Sequence, residues 1–180
     1  MDRESVYTVQ DPDDLLHREP LVAAFRARGA PETEAFTFTL VNVHTDPDEV
    51  QEELNVLDDV YRAVRADGRG EDDILMLGDF NADDRHMGEL GQVSGITGAI
   101  RGVPTNTRGT QMYDNILFTE PATNEFSGGA GVVDLIEMFH LTEQQALEVS
   151  DHFPVWGEFS VYEGNRGGRL ATRPEEAGSR

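Results

Sequence analysis

Asp79 and Asn81 stand two residues apart, directly after the apolar run Ile74-Leu-Met-Leu77 and a break at Gly78. Side chains so spaced on extended backbone face the same side. A carboxylate beside a carboxamide suits a hard cation or a phosphate. The carboxylate brings charge and oxygen to a metal, and the amide both accepts and donates hydrogen bonds. The same residues also make an ordinary Asx turn capping the next element. The choice depends on what the rest of the chain brings to the same place. His44 closes a strand-like stretch, Asp114 falls in the middle of another, and Asp151-His152 precede the last one. A His at a strand end can reach a crevice, or it can be a hydrogen-bonded structural residue. An acid inside a strand needs a partner, because an unpaired buried carboxylate is costly. Arg18 can meet a phosphate or clamp a neighbouring carboxylate.

The elements that must position these groups follow from periodicity. Val6–Val9 reads as a short edge strand and Leu21–Phe25 as a strand entering the core. Ala35–Val43 alternates as a strand does, ending at His44-Thr45. Asp46 is the expected N-cap of a helix, with Pro47 at its first position and Glu49 completing a capping box. Val50, Leu54, Leu57, Tyr61 and Val64 make one apolar stripe, and Gly68 closes the helix. Strand, helix and the strand Ile74–Leu77 form a βαβ-like unit. If its strands are parallel, His44 and Asp79 share one sheet edge. Ala82–Thr110 is expected to be mostly loop, Met112–Phe118 a strand, and Pro121–Phe126 another. Gly128, Gly129 and Gly131 are expected in a turn, with a short helix over Leu141–Glu148 and a final strand reaching Tyr162. Residues 1–162 form the domain. Glu163 to Arg180 lacks apolar pattern and is expected to be a disordered tail.

The 180 residues suffice for one ordinary domain. Cys is absent, which excludes disulfides and thiolate metal sites. No apolar run has the length of a membrane span, and Met1–Ser5 lacks a signal-peptide core. The compartment is not read from the sequence. There are 35 Asp and Glu against 14 cations, every one of them Arg, for a formal net charge of -21. Such a surface repels polyanions at long range, so a nucleic acid must be met by local Arg residues or a bound divalent cation. Most of this acidity serves solubility or salt adaptation.

Four stretches, Val41-Asn-Val-His-Thr45, Leu77-Gly-Asp-Phe-Asn-Ala82, Tyr113-Asp-Asn-Ile116 and Ser150-Asp-His-Phe-Pro-Val155, together resemble the second-half motifs of the endonuclease/exonuclease/phosphatase superfamily. Arg18-Glu-Pro20 before a strand draws the likeness toward its deoxyribonuclease I-like branch. The resemblance implies an α/β fold, the C-terminal portion of a four-layer α/β/β/α sandwich lacking its N-terminal half. It implies metal-dependent phosphodiester hydrolysis, with endonuclease cleavage of DNA expected and Mg²⁺, Mn²⁺ or Ca²⁺ as cofactor. On that resemblance Asp151 is a metal ligand, and Asp79 is a ligand or the group that orients the water. Asn81 holds the scissile phosphate. His152 pairs with Asp114, and His44 is the second imidazole. Arg18 and Thr107 stand on the substrate side. The family's first half supplies an Asn and a metal-binding Glu, for which no counterpart precedes Val6. The missing half is therefore an expected partner of an otherwise monomeric chain. One alternative is a phosphatase or phosphodiesterase acting on phospholipid or inositol phosphate. The other is an inactive truncated fragment serving as a binding module.

Overall fold

The computed structural model describes residues 6–165. In chain order the elements are β1 (Val6–Thr8), β2 (Leu21–Arg26), β3 (Thr37–His44), α1 (Val50–Arg65), β4 (Ile74–Asp79), β5 (Ile96–Gly98), β6 (Asp114–Thr119), β7 (Phe126–Val132), α2 (Leu135–Phe139), α3 (Glu143–Val149) and β8 (Val155–Phe159). A six-stranded sheet has the order β1-β2-β3-β4-β6-β5, and β7 pairs with β8 in a second sheet.

The βαβ unit is present. β3 and β4 are parallel, and their register sets His44 opposite Asp79. The other pairs of the large sheet are antiparallel. β6 therefore runs back against β4, and its first residue, Asp114, also lies opposite Asp79. The alternation of side chains divides the sheet into two faces. Val22, Val41, Val43, Ile74, Met76 and Leu117 bury one face against Leu54, Leu57, Tyr61 and Val64 of α1. The opposite face carries Phe38, Leu40, Leu75, Leu77 and Ile116, which line an apolar groove with Phe159. The small sheet covers part of it. Phe118 packs on Phe126 and Phe159, with ring centroids 4.9 and 5.7 Å apart. Toward β2 the cover ends, and Leu21 and Phe25 are exposed. The helix layer, the six-stranded sheet and the small second sheet make the mixed α/β fold that was expected.

Several local expectations are corrected. Asp46 does not cap α1: its side chain accepts from the Asp48 amide inside a preceding turn. The helix starts at Val50, Glu49 makes no side-chain cap, and no capping box forms. Its C-cap is Ala66, ahead of Gly68. Asp114 begins β6 instead of lying in its middle, so its carboxylate meets the sheet edge. The stretch before Phe126 is a turn, while the glycines expected in a turn lie within β7. Gly131 pairs with Trp156 of β8, while Gly128 and Gly129 fall in the bulge between the Phe126 and Ala130 pairs. Gly131 lies under the Trp156 indole, where a Cβ would sit 3.1 Å from the ring nitrogen. The region expected as loop holds a 3₁₀ turn, Leu90–Gln92, and β5, which edges the sheet beside β6. The short helix expected over Leu141–Glu148 is α3, and a further helix, α2, precedes it. The Asp134 side chain caps α2, and a Thr142–Gln145 capping box starts α3. Of the expected tail, Glu163–Asn165 forms a 3₁₀ turn and the remainder lies outside the described residues.

Gly78 fixes the parallel pair that carries the site. Its φ is +138°, and an added Cβ would meet the Val43 carbonyl oxygen of the neighbouring strand at 1.9 Å. Gly29 has φ +100° but open space around it. In urea denaturation Gly78→Ala should cost about 3 kcal/mol or more, the sum of strain and a backbone clash. Gly29→Ala should cost only the left-handed strain, about 1–2 kcal/mol. Equal losses would show that the close approach of β3 and β4 is not what requires glycine.

Candidate active site

The parallel register of β3 and β4 and the reversal into β6 bring three strand ends to one rim. His44 closes β3, Asp79 closes β4 and Asp114 opens β6. His152 arrives from the loop before β8. It is held there by backbone pairing with the 105–107 segment: Phe153 donates to the Thr105 carbonyl at 2.7 Å, and Thr107 donates to the Asp151 carbonyl at 2.8 Å. The His152 amide also donates to the Ser150 hydroxyl at 3.0 Å.

His152 Nδ1 and Asp114 Oδ2 are 2.7 Å apart. A carboxylate can only accept, so Nδ1 carries the proton and Nε2 faces outward as an acceptor in the neutral ring. That Nε2 lies 3.8 Å from Asp79 Oδ2. His44 Nε2 approaches the same oxygen at 3.7 Å. One carboxylate thus stands between two imidazoles, and a second orients one of them. Tyr113 stacks on the His152 ring at 6.0 Å between centroids.

The electrostatics follow from half-burial. Burial pushes the Asp79 carboxyl above its ordinary value, and the charge of Asp114 adds to this. The Asn81 amide and the charges of His152 and His44 pull it down without cancelling the rise. Burial alone would lower His152. The hydrogen bond and charge of Asp114 outweigh it, helped by Asp79 and Asp151, and His152 is raised above the ordinary histidine range.

Asn81 sits in the left-handed region at φ +49°. Its amide N–H donates to Asp79 Oδ1 at 2.9 Å, which makes the Asx turn real. Its side-chain nitrogen donates to the Thr45 carbonyl, also at 2.9 Å. Turn and site are therefore one structure, since the turn holds Asn81 beside Asp79. A groove of about 440 Å³ continues past Asn81, lined by His86, Gln111, Met112 and Tyr113 among others.

Arg18 reaches the rim from outside, its guanidinium 3.4 Å from the carbonyls of both His44 and Thr45. Asp151 is exposed on the same loop as His152. Among the described residues, Asp79, Asp114 and His152 can offer ligand atoms all within 4.8 Å of one another, and Asp151 is not in that group. Thr107 is buried, and its hydroxyl donates to the Ser150 carbonyl at 2.8 Å. Its contacts are those of a brace for the Asp151-His152 loop. Two carboxylates and an imidazole form an oxygen-rich set that fits a hard divalent cation. Asp79 Oδ2, beyond hydrogen-bond reach of both rings, has capacity left for one.

Two residues that sequence reasoning passed over complete the rim. Thr105, fully buried, donates to Asp114 Oδ2 at 2.6 Å. The same hydroxyl oxygen accepts the amides of Tyr113 and Asp114 at 2.9 and 3.0 Å. Glu53, buried in α1, accepts the amide of His17 at 2.6 Å and that of Asp46 at 2.9 Å. It ties the loop before β2, which carries Arg18, to the loop after His44. A lone Thr in a Gly-rich loop carries no signal. Glu53 carried a weak one, as an acid next to Leu54 of the apolar stripe.

No family model matches the chain. Among curated proteins, bovine deoxyribonuclease-1-like 1 (Bos taurus) is 38% identical over 160 residues, covering 83% of this chain and 49% of the bovine protein. The human protein of that name (Homo sapiens) is 34% identical over 167 residues, covering 87% and 54%. Rat deoxyribonuclease gamma (Rattus norvegicus) is 33% identical over 159 residues, covering 81% and 50%. The chain spans about half the length of the curated relatives it matches. Among solved structures, the Haemophilus ducreyi cytolethal distending toxin superposes with TM-score 0.58 at 14% identity, covering 89% of this chain and 60% of the toxin chain. The human Nocturnin catalytic domain gives 0.50 at 15% identity, covering 88% and 61%. These likenesses show the fold. Over about half of their length, the deoxyribonuclease-1-like proteins are what this chain is similar to in sequence.

Proposed function

We propose that the chain carries the catalytic rim of a metal-dependent phosphodiesterase that cleaves DNA. The observation that supports this reading most is the Asp114–His152–Asp79 arrangement, an oriented imidazole whose free nitrogen faces a carboxylate at a sheet edge. Hydrolysis of a phosphodiester forms a bond from water oxygen to phosphorus and breaks the bond to the leaving oxygen. His152 takes the water proton at Nε2, while Asp114 holds Nδ1–H and stabilises the imidazolium that results. His44, when protonated, supplies a proton to the leaving oxygen. Asn81, anchored to Thr45 by one amide hydrogen, has a second to offer a phosphoryl oxygen. Asp79 and Asp114 would hold the divalent cation with His152 nearby, and a bound cation would neutralise charge on the nonbridging oxygens. Asp151, whose charge reaches His152, is assigned as a further ligand, and Arg18, beside the His44 and Thr45 carbonyls, is assigned to the substrate's backbone.

The open half of the sheet face beside β2 is apolar and ends at the rim. We propose that further sequence, such as the relatives possess beyond the matched half, lays a second sheet on this face and brings another acid to the cation. A second reading of the activity is favoured by the charge of -21. Such a surface penalises long DNA and suits a small phosphate ester, such as an inositol phosphate or a phospholipid headgroup.

Plasmid DNA incubated with the chain and Mg²⁺ should be nicked, and EDTA should stop the reaction. His152→Ala and Asp79→Asn should each lower the rate by about 10²–10⁴-fold. Release of phosphate from an inositol phosphate, without nicking, would move the assignment to the second reading. Activity unaffected by both substitutions would place the chemistry elsewhere. Because His152 is raised, its base form is reached at higher pH than in an ordinary histidine. The acid limb of the rate profile should therefore lie at higher pH than an unpaired imidazole would give. Asp114→Asn should move it toward lower pH as well as lowering the plateau. Proton NMR of the imidazoles in EDTA should follow the same shift, and a His152 resonance that ignores Asp114→Asn would refute the pairing.

A further inference from the structure

The catalytic rim accounts for one acidic cluster; another lies at the opposite end of β4. Asp73 leads into β4, Glu125 leads into β7, and Glu163 follows β8. Each can place a carboxylate oxygen within 4.8 Å of those of the other two. Asp73 and Glu125 are 2% and 1% exposed. Asp73 Oδ1 and Glu125 Oε2 are buried and, among the described residues, have no hydrogen-bond partner. The buried Thr123 hydroxyl beside them has none either. No Arg or His among the described residues pairs with any of the three acids.

Three carboxylates so close, two of them out of water, need a compensating positive charge. Burial pushes the Asp73 carboxyl up to about 8, against the opposing pull of the nearby Thr123 hydroxyl and with the charges of Glu125, Glu163 and Glu71 adding to the rise. Two further oxygens of the cluster are tied to backbone amides. Glu125 Oε1 accepts the Gly164 amide. Glu163 Oε2 accepts the Thr37 amide at 3.1 Å. Oxygens bound to one Ca²⁺ at about 2.3–2.6 Å can stand up to roughly 5 Å apart, whereas Mg²⁺ demands a tighter octahedron. Mg²⁺ also gives up its waters reluctantly, so a buried set of protein oxygens suits the larger ion.

We infer that Asp73, Glu125 and Glu163 form a structural site for one hard divalent cation of calcium size, with Thr123 as a neutral oxygen donor. The ligands come from the entry to β4, the entry to β7 and the segment after β8. The cation would therefore staple the small sheet to the large one at the end remote from the candidate active site. This inference does not rest on the proposed activity.

The test uses the 180-residue chain carrying Asp79→Asn, which removes the central carboxylate of the catalytic cluster. Ca²⁺ titrated into it by calorimetry should bind as a single ion and raise the thermal midpoint. Adding Asp73→Asn or Glu125→Gln should weaken that binding by at least about tenfold and remove the rise. Glu163→Gln, at the exposed rim of the cluster, should do the same without altering the buried pair, so a misfolded core variant does not decide the matter. Unchanged Ca²⁺ binding in the Glu163→Gln chain, or no binding at millimolar Ca²⁺ before it is introduced, overturns the inference.

Discussion

The bond between His152 and Asp114 depends on every larger feature of the fold. Asp114 reaches the rim only because β6 runs antiparallel to β4 and begins opposite its last residue. His152 reaches it only because the loop before β8 pairs with the Thr105–Thr107 segment. If β6 slipped by one residue, Asp114 would turn to the α1 face, because strand side chains alternate. The register is protected by the same alternation: Leu117 is buried under α1 while Ile116 and Phe118 face the small sheet. Hydrophobic patterning, which knows nothing of chemistry, thus sets the position of the orienting carboxylate. The bond in turn selects one tautomer of His152, so the proton inventory of the rim is fixed before any substrate arrives.

Much of this was legible in the sequence, and the reason is periodicity. The alternation over Ala35–Val43 and the helical stripe from Val50 to Val64 specify a parallel crossover, which placed His44 and Asp79 on one edge. The mid-strand position expected for Asp114 was off by the few residues by which strand ends usually are, yet its implication of a partner was sound. What resisted sequence reading was decided by tertiary pairing. Glycines at 128, 129 and 131 have poor strand propensity, but a bulge takes up the first two, Gly131 pairs with Trp156, and the absence of a side chain at Gly131 makes room for that indole. The Asp46 cap failed because its carboxylate closed a tighter local turn and its amide was taken by Glu53. Thr105 was illegible for a different reason. A hydroxyl gains its role from three partners, and the partners are known only once the strands are placed.

The two faces of the large sheet divide the labour. The face under α1 is closed and supplies stability. The other face is apolar in its middle and polar at its C-terminal rim, and the small sheet covers only the side toward β6. An apolar sheet face that stays open is unusual in a finished layer architecture, since each layer must bury its hydrophobic side against another. The half of that face beside β2 stays open to solvent, with Leu21 and Phe25 exposed on it.

The acidity of the chain bears on both ends of the sheet, and the contrast between them is physical. At the C-terminal rim Asp79 and Asp114 are half-buried, and two imidazoles face them. Their charge is shared with imidazoles, which can both take and give a proton. At the other end Asp73 and Glu125 are fully buried, with no imidazole or guanidinium paired to them among the described residues. A proton can neutralise one of them but leaves their remaining oxygens without partners. A multivalent cation satisfies charge and lone pairs together. In a chain with 35 acids and no Lys, the carboxylates that matter are therefore set apart by burial and by what faces them, and their number alone says little.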